Sequence, residues 1–156
     1  MLEDLYRRVD EFFLEAREKG GIVCAMGCTA CCEVDLTVFT VEAKNIAKAF
    51  SRLGQRTRAA ARRRALKGRH CAMLDSRGRC VIYEARPLIC RTHGLPLLIS
   101  GEVDHCPLNF CDKRPERSQV LVLERVNEFL SMAETLSGGD GSRIRIAAIA
   151  EGTYPG

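Results

Sequence analysis

The sequence predicts a mainly α fold with short β-hairpins, in a single small, irregular, cysteine-rich domain spanning residues 1–156. Three observations predict it. Apolar residues recur at helical three-and-four spacing in three separate stretches, whereas two-residue alternation is confined to short runs beside turn residues. Nine cysteines occur, and Cys24, Cys28, Cys31 and Cys32 fall within one short segment. The remaining composition, 46% hydrophobic and 28% charged, is that of an ordinary globular chain, so an apolar core carries the fold.

The elements follow in chain order. Leu2, Leu5, Tyr6, Val9, Phe12, Phe13 and Ala16 form one helical face, stopped by Gly20-Gly21. The cysteine-dense stretch 24–32 has no apolar period and reads as loop or one irregular turn. Val34, Leu36 and Val38 alternate as in a short strand. Thr40 then suits a helix N-cap, with Glu42 in the first turn where the dipole favours an acid. Ala43, Ile46, Ala47, Phe50 and Leu53 supply that helix with a buried stripe, and Gly54 ends it.

Residues 52–69 carry eight basic side chains and no acid, which leaves the rest of the chain net acidic. No aromatic lies among these arginines to stack on bases, and at 3.6 residues per turn the charges do not gather into one stripe. A solvated helix is the expectation, and a nucleic-acid surface is not. Residues 70–83 read as a hairpin turning at Asp75-Ser76-Arg77-Gly78, which would bring Cys71 and Cys80 together. Pro87 suits the first turn of a short helix bearing Cys90. A second hairpin over 95–105 delivers Cys106 and then Cys111. Pro115 opens a helical run with Val122, Val126, Phe129, Leu130, Ala133 and Leu136 on one side, closed by Gly138-Gly139. The apolar run in the tail 142–156 fits either a strand or a packed arm.

The cysteines point to a metal. An odd number cannot all pair with one another. The N-terminus interleaves acids and arginines where a secretion signal has an unbroken apolar stretch, so a reducing, cytoplasmic setting is expected. No run approaches the roughly 18 apolar residues of a membrane span. Thiolates this closely spaced repel one another, and a bound cation removes that penalty by deprotonating and binding them. Zinc prefers cysteines two to four residues apart, as in Cys24-x3-Cys28 or Cys28-x2-Cys31. The adjacent Cys31 and Cys32 have diverging side chains and fit one small ion poorly. They suit different irons of one cluster, or two metals, which tilts the reading toward a [4Fe-4S] cluster over Zn2+.

The series Cys24-x3-Cys28-x2-Cys31-Cys32, then Thr40-Val41-Glu42-Ala43, then Gly78-Arg79-Cys80-Val81-Ile82-Tyr83-Glu84-Ala85-Arg86-Pro87-Leu88-Ile89-Cys90-Arg91, resembles the YkgJ-type cysteine-cluster family. The resemblance covers about 24–93. It implies a zinc- or iron-chelating domain with a CxxCxxCC signature, whose first gap is here three residues long. A distant likeness to flagellin lysine N-methylases sets a methyl-transfer role beside the others.

The ligand pool expected from spacing and resemblance together is Cys24, Cys28, Cys31, Cys32, Cys71, Cys80 and Cys90. That exceeds one four-ligand site, so Cys106, with Cys111 or His93, could complete a second set. His93 reads more readily as a hydrogen-bonded histidine, and Cys111 as the odd thiol. Arg86 and Arg91 flank Cys90 and could neutralise an anionic metal–thiolate group and donate to its sulfurs. Neither a phosphate-cradling glycine loop nor an HExxH pattern nor a Ser/His/Asp set occurs, which argues against a self-contained hydrolase. Three classes stay open: a redox or electron-transfer protein with an unknown redox or protein partner, a zinc-stabilised interaction domain, and part of a methyl-transfer enzyme.

Overall fold

The computed structural model describes residues 1–154. In chain order the elements are α1 (Leu2–Glu18), β1 (Thr37–Phe39), α2 (Thr40–Ser51), α3 (Gln55–Lys67), α4 (Leu88–Thr92), β2 (Leu97–Ile99), β3 (Glu102–Asp104), β4 (Leu121–Val122), α5 (Leu123–Leu136), β5 (Arg143–Arg145) and α6 (Ile146–Glu151). This is the expected mainly α fold with short strands. No helix among the described residues is long and apolar enough to cross a membrane. The chain divides into two compact units, one of residues 1–25 and 88–133, the other of residues 26–87 and 134–156.

In the first unit α1 buries Leu5, Tyr6, Val9 and Ala16, the face read from its periodicity. Arg91 on α4 is 5% exposed. It pairs with Asp10 and lies 4.1 Å over the Tyr6 ring, joining α4 to α1 through charge and cation–π contact. β2 and β3 form the expected hairpin. Its turn has positive φ at both Ser100 and Gly101, the backbone twist that suits a two-residue hairpin loop. β4 adds to β2 in parallel.

Pro115 does not open a helix. Residues 117–119 form a single 3-10 turn with a Glu116–Gln119 capping box, and α5 starts only at Leu123. The reason lies in Gln119, which is fully buried. Its amide donates to the carbonyls of Ala16 and Gly20 at 2.8 and 2.9 Å, answering acceptors that the end of α1 leaves unpaired. On α5, Val126, Leu130 and Ala133 are buried while Phe129 and Leu136 are exposed, so the buried stripe is narrower than the apolar one.

The second unit has the larger core, with Val38, Ala43, Ile46, Ala61, Ala65, Met73, Ile82, Ile146 and Ala150 buried together. A side chain such as Ile46, fully buried, contributes about 1.5–3 kcal/mol. α3 packs on α6 through small residues, which allow close approach: Ala61 and Ala65 on one side, Ala147 and Ala150 on the other. β1 pairs antiparallel with β5, Val38 opposite Ile144, so the tail is first a strand and then a helix.

α2 begins at Thr40, but Thr40 is not its cap. Glu134 is, from 94 residues away: one carboxylate oxygen accepts from the Thr40 hydroxyl at 2.5 Å and the other from the Val41 N–H at 2.8 Å. Burial alone would raise the Glu134 carboxyl. The donors from Thr40, Val41 and Gly141 outweigh it and hold the group below the usual carboxylate range. Asp35 serves α6 similarly, accepting from the Ala147 N–H at 3.2 Å and from Arg145 Nε at 2.6 Å.

Candidate metal centre

Five of the nine cysteines belong to the second unit, on two segments that carry almost no regular structure. Cys28, Cys31 and Cys32 lie on a loop whose last residues form the 3-10 turn Ala30–Cys32, closed by the Cys32 N–H donating to the Thr29 carbonyl at 2.8 Å. Cys71 and Cys80 lie on the arms of a tight hairpin-like loop. Leu74 and Cys80 form an isolated antiparallel bridge, and the Val81 N–H donates to the Met73 carbonyl at 2.8 Å. The turn sits where the sequence placed it. Asp75 builds it by accepting from the N–H groups of Arg77 and Arg79 at 2.8 and 2.9 Å and from the Arg79 guanidinium, the Asx-turn chemistry for which aspartate is favoured.

Two contacts hold these segments together. The Cys71 N–H donates to the Cys32 carbonyl at 2.8 Å. Gly78, with φ +72, lies against the cysteine loop: a Cβ there would stand 3.2 Å from Thr29 Cγ2 and 3.6 Å from Gly27 Cα. The left-handed backbone favours glycine there, and the Thr29 methyl leaves little spare room for a side chain. Cys71 and Cys80 lie on opposite arms of the hairpin-like loop, joined through Leu74, whose N–H donates to the Cys71 carbonyl and which bridges to Cys80. Cys71 raises the Cys80 thiol, and Cys31 raises that of Cys71.

Burial is the largest influence on both hairpin thiols. It pushes Cys80 up to about 11 and Cys71 upward as well, because both pack against the core of the unit. The N–H of the residue two positions on opposes it in each case, Met73 for Cys71 and Ile82 for Cys80. Both favour the charged form of sulfur. Arg64 near Cys71 and Arg86 near Cys80 act in the same direction. Arg86 also stacks 4.0 Å over the Tyr83 ring.

The donor chemistry of this set fits a thiophilic metal: soft sulfur on five side chains, with arginine charge acting on two of them. The thiols are not drawn into a closed cage, however. Among the described residues no group of three or more His, Cys, Asp or Glu side chains stands ready to hold an ion. Cys28 is exposed, while Cys31, Cys32, Cys71 and Cys80 are half-buried. Convergence of like-charged sulfurs costs free energy until a cation compensates it.

The other sequence candidates belong to the first unit. Cys24 receives the Asn109 amide N–H at 3.4 Å; the same Asn109 donates to the Gly94 carbonyl at 2.7 Å and accepts from the Val23 N–H at 3.0 Å. Cys90 lies on α4 and is half-buried. Cys106 follows β3, its carbonyl 3.1 Å from His105 Nδ1. Cys111 is exposed, its thiol donating to the carbonyls of Pro107 and Leu108. Arg91 serves Asp10 and Tyr6, as described above.

Sequence reasoning missed Arg64, which it took for one more charge on a solvated helix. Arg64 Nε donates to the Ala72 carbonyl at 3.1 Å, and its Nη2 is buried without a hydrogen-bond partner. A signal existed: Ala61 and Ala65 mark the buried face of α3, and Arg64 borders it.

The sequence model of the CxxCxxCC family, described as "Putative zinc- or iron-chelating domain", matches residues 23–121, more than half of the chain. The match starts where the resemblance in the sequence did and runs past its end near residue 93, taking in Cys106 and Cys111. Neither a curated protein nor a solved structure matches the chain.

Proposed function

The chain belongs to the CxxCxxCC family of zinc- or iron-chelating domains. On that premise we propose that it carries an iron–sulfur cluster on thiolates of the second unit and acts in electron transfer. Cys28, Cys31, Cys32, Cys71 and Cys80 are the residues that would hold it. The observation that carries the reading is the tie between the two cysteine-bearing segments: the Cys71 N–H donates to the Cys32 carbonyl, and Cys80 lies on the opposite arm of the same hairpin. When bound, a cluster supplies reversible one-electron chemistry at a potential set by charge, hydrogen bonds to sulfur and exposure.

The residues of the chain do the rest. Asp75 and Gly78 fix the hairpin that presents Cys80. The Met73 and Ile82 N–H groups and the Arg64 and Arg86 guanidinium groups stabilise negative sulfur. Adjacent Cys31 and Cys32 on one 3-10 turn can reach different irons, which one tetrahedral ion would not allow without strain. Cys28, exposed, leaves one edge open toward an electron partner.

A second reading is favoured by one observation: the two ligand-bearing segments have little regular structure, as in domains that a structural zinc holds folded. One experiment separates the two. The full chain is purified anaerobically and analysed for metal, acid-labile sulfide and visible absorption on the same sample. Iron with matching sulfide and a brown absorption bleached by dithionite is the expected result. Stoichiometric zinc in a colourless solution would replace the cluster reading with the zinc one, and absence of both metals would refute each.

A further inference from the structure

We propose that Arg64 is the positioning cation of the thiolate site, its buried Nη2 donating to the metal-bound sulfur of Cys71. This rests on the reading above, that Cys71 is a ligand. α3 delivers the side chain from a face lined by Ala61 and Ala65, and the Nε–H is already used on the Ala72 carbonyl, one residue past Cys71. That bond fixes the plane of the guanidinium and leaves Nη2 buried with donors that nothing in the described structure accepts. Buried polar groups are paired in the great majority of proteins, so an orphan calls for an acceptor that only the working state supplies.

The neighbours narrow what that acceptor is. Asp75 acts on Arg64 from the hairpin turn, but its carboxylate is occupied by the Arg77 and Arg79 N–H groups and the Arg79 guanidinium. Arg63 lies beside Arg64 and repels it. Cys71 is the remaining group whose negative form attracts Arg64, and it directly precedes Ala72, whose carbonyl holds the guanidinium. A metal-bound cysteine sulfur is anionic and accepts an N–H from a cation placed beside it. A planar guanidinium held by one N–H also orients the sulfur, where a lysine would act as a point charge.

The test uses the full chain, freed of metal under anaerobic conditions and titrated with Co2+, whose thiolate charge-transfer absorption reports bound sulfur whatever the native metal is. Arg64→Met is expected to weaken Co2+ binding by roughly 10- to 100-fold, the usual effect of losing an outer hydrogen-bond partner of a ligand. It should also move the charge-transfer band to lower energy, because sulfur relieved of an N–H is more electron-rich. Arg64→Lys, which keeps the charge, should recover part of the affinity. Unchanged affinity and band position in a folded Arg64→Met would overturn the proposal. If circular dichroism finds that variant unfolded, Arg64→Gln decides by the same two readouts. Cys71→Ser separates the failures: a wild-type band in Cys71→Ser removes the ligand reading and this inference together. A band lost in Cys71→Ser but untouched in Arg64→Met removes only the inference.

Discussion

Replacing Glu134 by Gln tests how the element that follows the cysteine loop is held. Glu134 is 2% exposed, and its two oxygens accept from the Thr40 hydroxyl and the Val41 N–H at the first turn of α2. Glutamine has nearly the same shape but one acceptor oxygen. In its best orientation that oxygen meets the Val41 N–H and its amide faces Thr40, whose hydroxyl must turn around to accept. The charge at the helix N-terminus is lost, which costs about 0.3–2 kcal/mol. Charge-assisted hydrogen bonds fall to neutral ones, a loss of about 1 kcal/mol. The sum is about 2 kcal/mol, or a fall in Tm of about 4–8 °C for a chain of this length.

The pH dependence distinguishes this mechanism from a generic packing defect. Glu134 has its carboxyl held below the usual range in the folded state. Such a group contributes its full stability above its unfolded pKa, near 4.3, and loses it as pH falls through the lower folded value. Thermal melts of both proteins should therefore differ at neutral pH and converge in acid, with faster exchange of the Val41 amide in the variant at pH 7. A gap that stays constant from pH 7 into the acid range, or no gap at all, would refute the reasoning.

Other outcomes follow from the same structure. Gly139→Ala would place a Cβ 2.0 Å from Glu134 Oε1, and the carboxylate is pinned by its donors; a loss of about 1–3 kcal/mol is expected in chemical denaturation, and an unchanged midpoint would show that Glu134 can yield. Gly21→Ala meets the Phe110 ring at 2.5 Å with φ at +95, so the first unit should lose about 2 kcal/mol or more, read from amide exchange in α1. Cys80→Ser should lose metal and stability together, whereas Cys111→Ser should retain wild-type metal content; the reverse pattern in metal analysis would remove the proposed ligand set. Chelation of the bound metal should lower Tm, and identical melts with and without chelator would mean that no metal contributes to the fold.

Much was legible without coordinates. The apolar period of α1 and α2, the turn at Asp75–Gly78 and the Ser100-Gly101 hairpin are encoded over a few residues each, by spacing and by backbone preferences. The cysteine spacing carried the family as well. What failed was nonlocal. Pro115 carried a valid helix-start signal, but a buried Gln119 serving the end of α1 took those residues into a different turn. Thr40 had the chemistry of an N-cap, and a glutamate 94 residues away performs the task.

The sequence by itself therefore determined which faces are apolar, where the chain turns and that sulfur is gathered for a metal, because periodicity, turn chemistry and ligand spacing act over a few residues. Tertiary structure alone decided how the nine thiols divide between the units, five with the second and four with the first. It also decided that β1 finds β5, and that one arginine among eight basic residues buries its Nη2. Those outcomes depend on which surfaces meet after collapse, and an unmet hydrogen bond exists only once water has been excluded from around it.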